Sequence, residues 1–186
     1  MNAVDTLRAE HSAILYVLDQ LEQAAAASER GIPVPADIYQ DVQEFFTIFV
    51  DRCHHGKEEA EVFPPLQQDH AALIERLEAE HATGRQFAQA FSQAIQTYVP
   101  GKAETGAALA AAARAYADFL RRHIDQETEE LFPVIEQALE PEDRRIVDAF
   151  ERIEVERIGA GTHERLHHMI DGLAGRIAPL LTAKHR

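Results

Sequence analysis

The chain has 186 residues, 46% of them hydrophobic, a length that suits one compact domain or a bundle with one or two added helices and leaves little room for two domains. Eighteen Lys and Arg against 32 Asp and Glu give a formal charge of −14, which repels phosphate backbones and argues against nucleic acid as a partner.

Apolar residues recur at helical spacing along almost the whole chain, and no stretch alternates with period two for long enough to make a sheet. In the first segment Val4, Leu7, Ile14, Leu18 and Leu21 form one stripe, with His11 on it, ending before Gly31, Pro33 and Pro35. The second runs from Ala36 through Val42, Phe45, Phe46, Phe49 and Cys53, with His54, Glu58 and Glu61 in its last turns and Pro64-Pro65 as its stop. Cys53, the one cysteine, cannot form an internal disulfide and reads as a buried thiol rather than a redox centre. A third helix passes through Leu73, Leu77, His81, Phe87, Phe91 and Ile95 and closes at Pro100-Gly101; a fourth carries Leu109, Tyr116, Leu120, His123, Glu127 and Leu131. Pro141 suits the first position of a fifth helix with Ile146, Phe150 and Ile153. Thr162 caps a sixth, whose stripe is His163, Leu166, His167, Ile170, Leu173 and Ile177.

The expected fold is therefore all-α: an up-down-up-down four-helix bundle over residues 1–140, with a helical extension, 141–186, packed on it. Residues 1–10 lack the basic-then-apolar pattern of a secretory leader, and no run approaches the roughly 20 apolar residues that cross a bilayer. A cytoplasmic protein without a membrane anchor is expected.

The strongest signal is an internal repeat. His54-x-x-x-Glu58-x-x-Glu61-Val-Phe63-Pro64 returns 69 positions later as His123-x-x-x-Glu127-x-x-Glu130-Leu-Phe132-Pro133, and Ala9-Glu10-His11 returns 70 positions later as Ala79-Glu80-His81. The first helical hairpin is thus duplicated as the second. Residues i and i+4 share a helix face, so His54 with Glu58 and His123 with Glu127 each form a clamp of one imidazole and one carboxylate. His11 and His81 add one imidazole each from the neighbouring helices. Four imidazoles and two carboxylates make a dinuclear ligand set suited to Fe, Mn or Zn, with open positions for water or O2. With ten histidines in an acidic chain, one His-x-x-x-acid match is expected by chance. Two with the same Phe-Pro tail are not, and buried carboxylates call for a compensating cation.

These residues resemble the hemerythrin-like family, the HHE cation-binding domain, over roughly residues 3 to 136. The marks are His11, the run Cys53-His54-His55-Gly56-Lys57-Glu58-Glu59, the stretch Glu80-His81-Ala82-Thr83-Gly84-Arg85, and His123 through Pro133. The resemblance implies a non-haem di-iron centre on His11, His54, Glu58, His81, His123 and Glu127, and a range of activities: carrying or sensing O2, responding to iron or nitric oxide, or acting on peroxide. Two departures stand out. Oxygen-carrying hemerythrins have a further histidine one turn before the position of His81, where this chain has Leu77, which counts against the carrier role. The second is the extension, in which His163 and His167 lie one turn apart on an apolar face; they are read either as closing over the site as metal ligands or as packing without metal.

Around this set, Glu61 and Glu130 read as acceptors that orient an imidazole or as solvated side chains. Glu10 and Glu80 are expected to turn away from their neighbouring histidines by roughly 100 degrees, and His55 to be peripheral. Tyr16 and Tyr116 read as core aromatics or as facing the metals. His70, His168 and His185 read as surface residues. The chain is expected to bind O2 or nitric oxide, or to sense and handle iron and redox state, with a small diatomic or peroxide as its partner and a homodimer as one arrangement; an enzyme acting on O2 or peroxide, or a structural bundle built on zinc or another redox-silent ion, are the alternatives.

Overall fold

The computed structural model describes residues 2–182, and His185 lies outside them. Among the described residues every regular element is helical. Helix α1 spans Ala3–Glu29 and opens with Asn2, whose side chain accepts from the Asp5 backbone while the Asp5 carboxylate takes the Asn2 N–H, a reciprocal cap that satisfies two end groups. Helix α2 starts at Ala36–Phe45 and runs without a break through π-helical stretches at Phe46–His55 and Glu58–Val62 to a final α turn, Phe63–Leu66. Helix α3 is Ala71–Thr97. Helix α4 starts at Ala103–Gln126 and continues through a π turn, Glu127–Leu131, to Phe132–Ala138. After a 3₁₀ turn, Glu140–Glu142, α5 covers Asp143–Ile153 and ends in a π turn, Glu154–Ile158; α6 is Thr162–Asp171 and α7 Leu173–Thr182. The last expected helix is thus present but interrupted at Gly172.

Pro64 does not stop α2 where the sequence places the stop. A proline ring clashes with the carbonyl four residues back in an α-helix, and the wider π turn just before it removes that clash. The Phe63 N–H bonds the Glu58 carbonyl, and in the repeat the Phe132 N–H bonds that of Glu127. The duplicated Phe-Pro tail therefore marks a duplicated π turn that begins at each clamp glutamate.

Helix α1 packs along α4, and α4 along α3. The approach of α1 and α4 is close enough that a Cβ on Gly106 would stand 2.1 Å from the Ser28 carbonyl oxygen, so only glycine fits there. Apolar side chains gather in two clusters. One, with Ile14, Phe45, Phe46, Phe91 and Tyr116, fills the end towards the α1–α2 turn; the other, with Leu7, Phe63, Leu77 and Phe132, fills the opposite end. His11, His54, His81 and His123 fall between the two along every helix. The extension contributes to both: Ile146 and Phe150 join the second cluster, and Leu166, Ile170, Leu173 and Ile177 the first. Each such side chain adds about 1.5–3 kcal/mol by leaving water.

Candidate metal centre

Six side chains from four helices meet in the polar belt: His11 from α1, His54 and Glu58 from α2, His81 from α3, His123 and Glu127 from α4. None is more than 4% exposed. Ligand atoms of His11, His54, Glu58 and Glu127 lie within 4.8 Å of one another. The imidazoles form two pairs, and each carboxylate faces both. Glu58 presents Oε1 to His54 Nε2 at 3.7 Å and Oε2 to His81 Nε2 at 3.5 Å. Glu127 presents Oε2 to His11 Nε2 at 3.1 Å and Oε1 to His123 Nε2 at 3.2 Å and His81 Nε2 at 3.6 Å.

Three of the four imidazoles are held from behind through Nδ1. His54 Nδ1 donates to Glu10 at 2.8 Å, His123 Nδ1 to Glu80 at 2.8 Å, and His81 Nδ1 to Glu59 at 2.9 Å. This fixes each tautomer with Nε2 free to face the centre. Glu10 and Glu80 do turn away from His11 and His81, but they turn onto the histidine of the adjacent helix, which rotation about a single helix does not reveal. Glu10 also accepts from the ammonium of Lys57, a fully buried lysine that donates to Glu154 of the extension at 2.6 Å. At the repeat position Gln126, with its amide nitrogen facing Glu80, donates to that carboxylate at 2.8 Å.

Facing the interior, Glu58 Oε1 and Oε2, Glu127 Oε1, His81 Nε2 and His123 Nε2 are buried without a hydrogen-bond partner. Five such atoms in one place are far more than a protein core tolerates, and all five are metal-ligating types converging from two sides. The donor set therefore fits one or two cations. Burial alone would push the His81 imidazole down, but the carboxylates of Glu127, Glu58 and Glu59 overcome it and raise it to about 11. His123 likewise rises to about 9 against burial, through Glu127 and Glu80. Glu127 is held well below its usual range: burial opposes ionisation, and the imidazoles of His123, His11 and His81 more than offset it.

The model of the Hemerythrin HHE cation binding domain family matches residues 2–135. The chain belongs to that family. Comparison with curated proteins and with solved structures gave no match. All six side chains that meet in the centre fall within the matched residues, and α5, α6 and α7 lie beyond them. Cation binding is what this hemerythrin-family chain is built for. No helix among the described residues is long and apolar enough to cross a membrane.

Other sequence candidates of this hemerythrin domain and its extension are distributed unevenly. His163 and His167 are not brought into the cluster. They are half-buried, pack on Phe49 at 5.3 and 5.5 Å, the first tilted and the second edge-on, and line a separate cavity of about 540 Å³ with Glu10, Phe150 and Glu154. His163 gathers there with Glu10 and Glu154. His55 is not peripheral: it is 4% exposed, and a ring nitrogen lies within 4.8 Å of ligand atoms of His81 and His123. The π-helical stretch over Phe46–His55 explains this, because a wider turn rotates less per residue and lets two consecutive histidines face inward. Burial, then the nearby His81, push the His55 imidazole well below its ordinary value.

Glu61 and Glu130 pair with Arg145 and Arg76 at the surface, at 2.8 and 2.5 Å, the solvated role. Tyr116 is buried against Phe46, and Tyr16 packs on the same apolar cluster. Leu77 is fully buried in the second apolar cluster. Cys53 is buried, its thiol pushed up to about 12 by desolvation.

Proposed function

We propose that this chain holds two iron ions and uses them to bind a small redox-active ligand, O2 or nitric oxide, or to register iron and redox state. His11 and His54 would hold one ion, His81 and His123 the other, and Glu58 and Glu127 would bridge them. The observation that carries this reading is that each of the two buried carboxylates faces one imidazole pair with one oxygen and the other pair with the second. One cation would leave half of these atoms unpartnered. When bound, the pair supplies open coordination positions and a reversible iron(II)/iron(III) couple. The chain's own residues orient the imidazoles through Glu10, Glu59 and Glu80, and the two apolar clusters keep water from the ligand atoms.

The reading extends to the architecture: residues 1–140 as an up-down-up-down bundle around the ions, 141–186 as an extension packed on it, acting in the cytoplasm. A second reading, a di-iron enzyme acting on O2 or peroxide, is favoured by the carboxylates behind three of the four imidazoles, which make the histidines stronger donors and support higher oxidation states. Manganese or zinc suits the same donor set.

Elemental analysis of protein purified without added metal or chelator, with visible spectra before and after exposure to O2 and nitric oxide, tests this. Two irons per chain and a spectrum that changes with the gas and reverts on its removal are expected. Turnover of peroxide would favour the enzyme, and two zincs the redox-silent bundle. A protein that takes up no transition metal even after anaerobic loading with ferrous iron would sink the proposal.

A further inference from the structure

A cavity of about 270 Å³ lies between α2 and α3, lined among others by Gln43, Asp51, His55, Arg85 and Tyr116. His55 is shared between this cavity and the centre. Its ring stacks on His81 with centroids 3.9 Å apart and planes at 17°. Imidazole lone pairs lie in the ring plane, so the near-parallel, stacked rings of His55 and His81 do not aim their nitrogens at one common point. Close as it is, His55 is therefore poorly placed to ligate the same ion and well placed to bond something beside it.

Two buried polar atoms of this cavity's lining have no partner. His55 Nδ1 lies 3.9 Å from Asp51 Oδ1, beyond hydrogen-bond reach, and makes no hydrogen bond; Gln43 Oε1 makes none either. Buried groups of this kind are kept where something else satisfies them. The larger cavity against the extension offers no comparable vacancy in its bonding, because Glu10 is already engaged by His54 and Lys57, and Glu154 by Lys57.

We infer that the cavity beside His55 receives the exogenous ligand of the metal pair, that His55 hydrogen-bonds it at the His81–His123 position, and that among the ligands the centre takes this bond favours a small polar one of the peroxide type over an apolar diatomic. The inference rests on the two-iron reading above. It adds the side from which the ligand arrives, the residue that meets it and its polarity. The repeat counterpart of His55 is Ile124, buried and apolar, so the other half of the centre has no equivalent.

Azide, a small hydrogen-bond acceptor that binds ferric iron, is the probe, followed by visible absorption on the iron-loaded protein. Ala88→Phe fills the cavity, with Ser92→Leu as the second variant if the first does not fold, and Ala9→Phe fills the cavity on the extension side as the control; Ala88, Ser92 and Ala9 line those cavities and are not among the six ligand-type side chains. The association rate should fall in the first two and not in the control, at unchanged iron content. His55→Leu should weaken azide binding about five- to tenfold, the worth of one hydrogen bond, while His55→Gln restores most of it. Nitric oxide affinity should stay near that of the unaltered protein. Slowing by the control alone, or by none of the three, overturns the docking site. Unchanged azide affinity in His55→Leu overturns the hydrogen bond, and equal losses for azide and nitric oxide overturn the preference for a polar ligand. Unaltered protein that holds no iron overturns the two-iron reading itself, and the inference with it.

Discussion

The two halves of the centre come from one duplicated pattern and differ in everything around it. At His54 the supporting carboxylate, Glu10, is 4% exposed and pinned by the buried ammonium of Lys57, which Glu154 of the extension holds from the other side. At His123 the supporting carboxylate, Glu80, keeps about a fifth of its side chain exposed and meets the neutral amide of Gln126. His81 is held by Glu59, itself tied to Arg85 at 2.6 Å, whereas His11 Nδ1 has no partner. The second half borders the cavity beside His55; the first lies against the extension, which reaches it through Glu154. Duplication preserves the side chains that face the interior of the centre, and divergence behind them makes its two halves unequal.

The largest effect that probes this comparison removes what the halves share. Glu127→Ala should cost both metals, because that carboxylate faces three imidazoles drawn from both pairs, whereas His123→Ala should cost one; metal content per chain reads the difference, and equal losses would mean the halves do not share a bridge. Next comes pH. In the metal-free protein His81 is raised to about 11 and His123 to about 9, above an unfolded value near 6.5. Their charged forms therefore stabilise the metal-free fold fully below about pH 6.5, and that contribution is lost as pH rises through 9 to 11. A metal must displace these protons, so apparent affinity should climb by about tenfold per pH unit for each proton released between pH 6.5 and 9. Zinc titration at pH 6.5, 7.5 and 8.5 tests the slope, and a flat profile would contradict the carboxylate-raised histidines. Third, Lys57→Met leaves Glu10 buried without its cation and should cost the metal-free protein roughly 3–5 kcal/mol. Gln126→Met, at the repeat position, should cost only about 1 kcal/mol. Urea denaturation of the two variants measures the asymmetry directly, and matching losses would abolish it.

Much of this was legible in the sequence because duplication repeats side chains as well as spacing. Laying the chain on itself picks out the six residues that the structure brings together, and the 3.6-residue stripes yield the all-helical fold. What a single helix cannot show is the neighbour across the bundle. Glu10 and Glu80 turn away from the histidines beside them in sequence, and the repeated Glu-His pair carries no hint that each serves the next helix. His55 escapes for a different reason: 100° per residue sends it outward, and only the π-helical stretch brings it in. The prolines after the clamps mark the π turns Glu58–Val62 and Glu127–Leu131, and no such residue marks Phe46–His55. Lys57 looks like a surface lysine until the extension, with Glu154, covers it. His163 and His167 show the converse, since an apolar stripe with two histidines packs on Phe49 as well as it would on a metal.

The smallest effect concerns the reach of the extension. Glu154 is not one of the six side chains that meet in the centre, and its own side chain is 29% exposed, so replacing it by glutamine should leave the fold close to intact. Its charge still matters. Lys57 divides its ammonium between Glu10 and Glu154; with Glu154 neutral, more of that positive charge falls on Glu10, which then accepts less strongly from His54 Nδ1 and leaves His54 a weaker donor. Outer partners of this kind are worth about 10- to 100-fold in metal affinity, and one removed by a further contact should sit at the low end, about tenfold. The loss should fall on the His11–His54 position alone. Cobalt(II) titration, in which the two positions fill in separate phases if they are unequal, reads it: Glu154→Gln should shift one phase and leave the other in place. A uniform shift of both would make the extension a general stabiliser, and no shift would confine its role to packing.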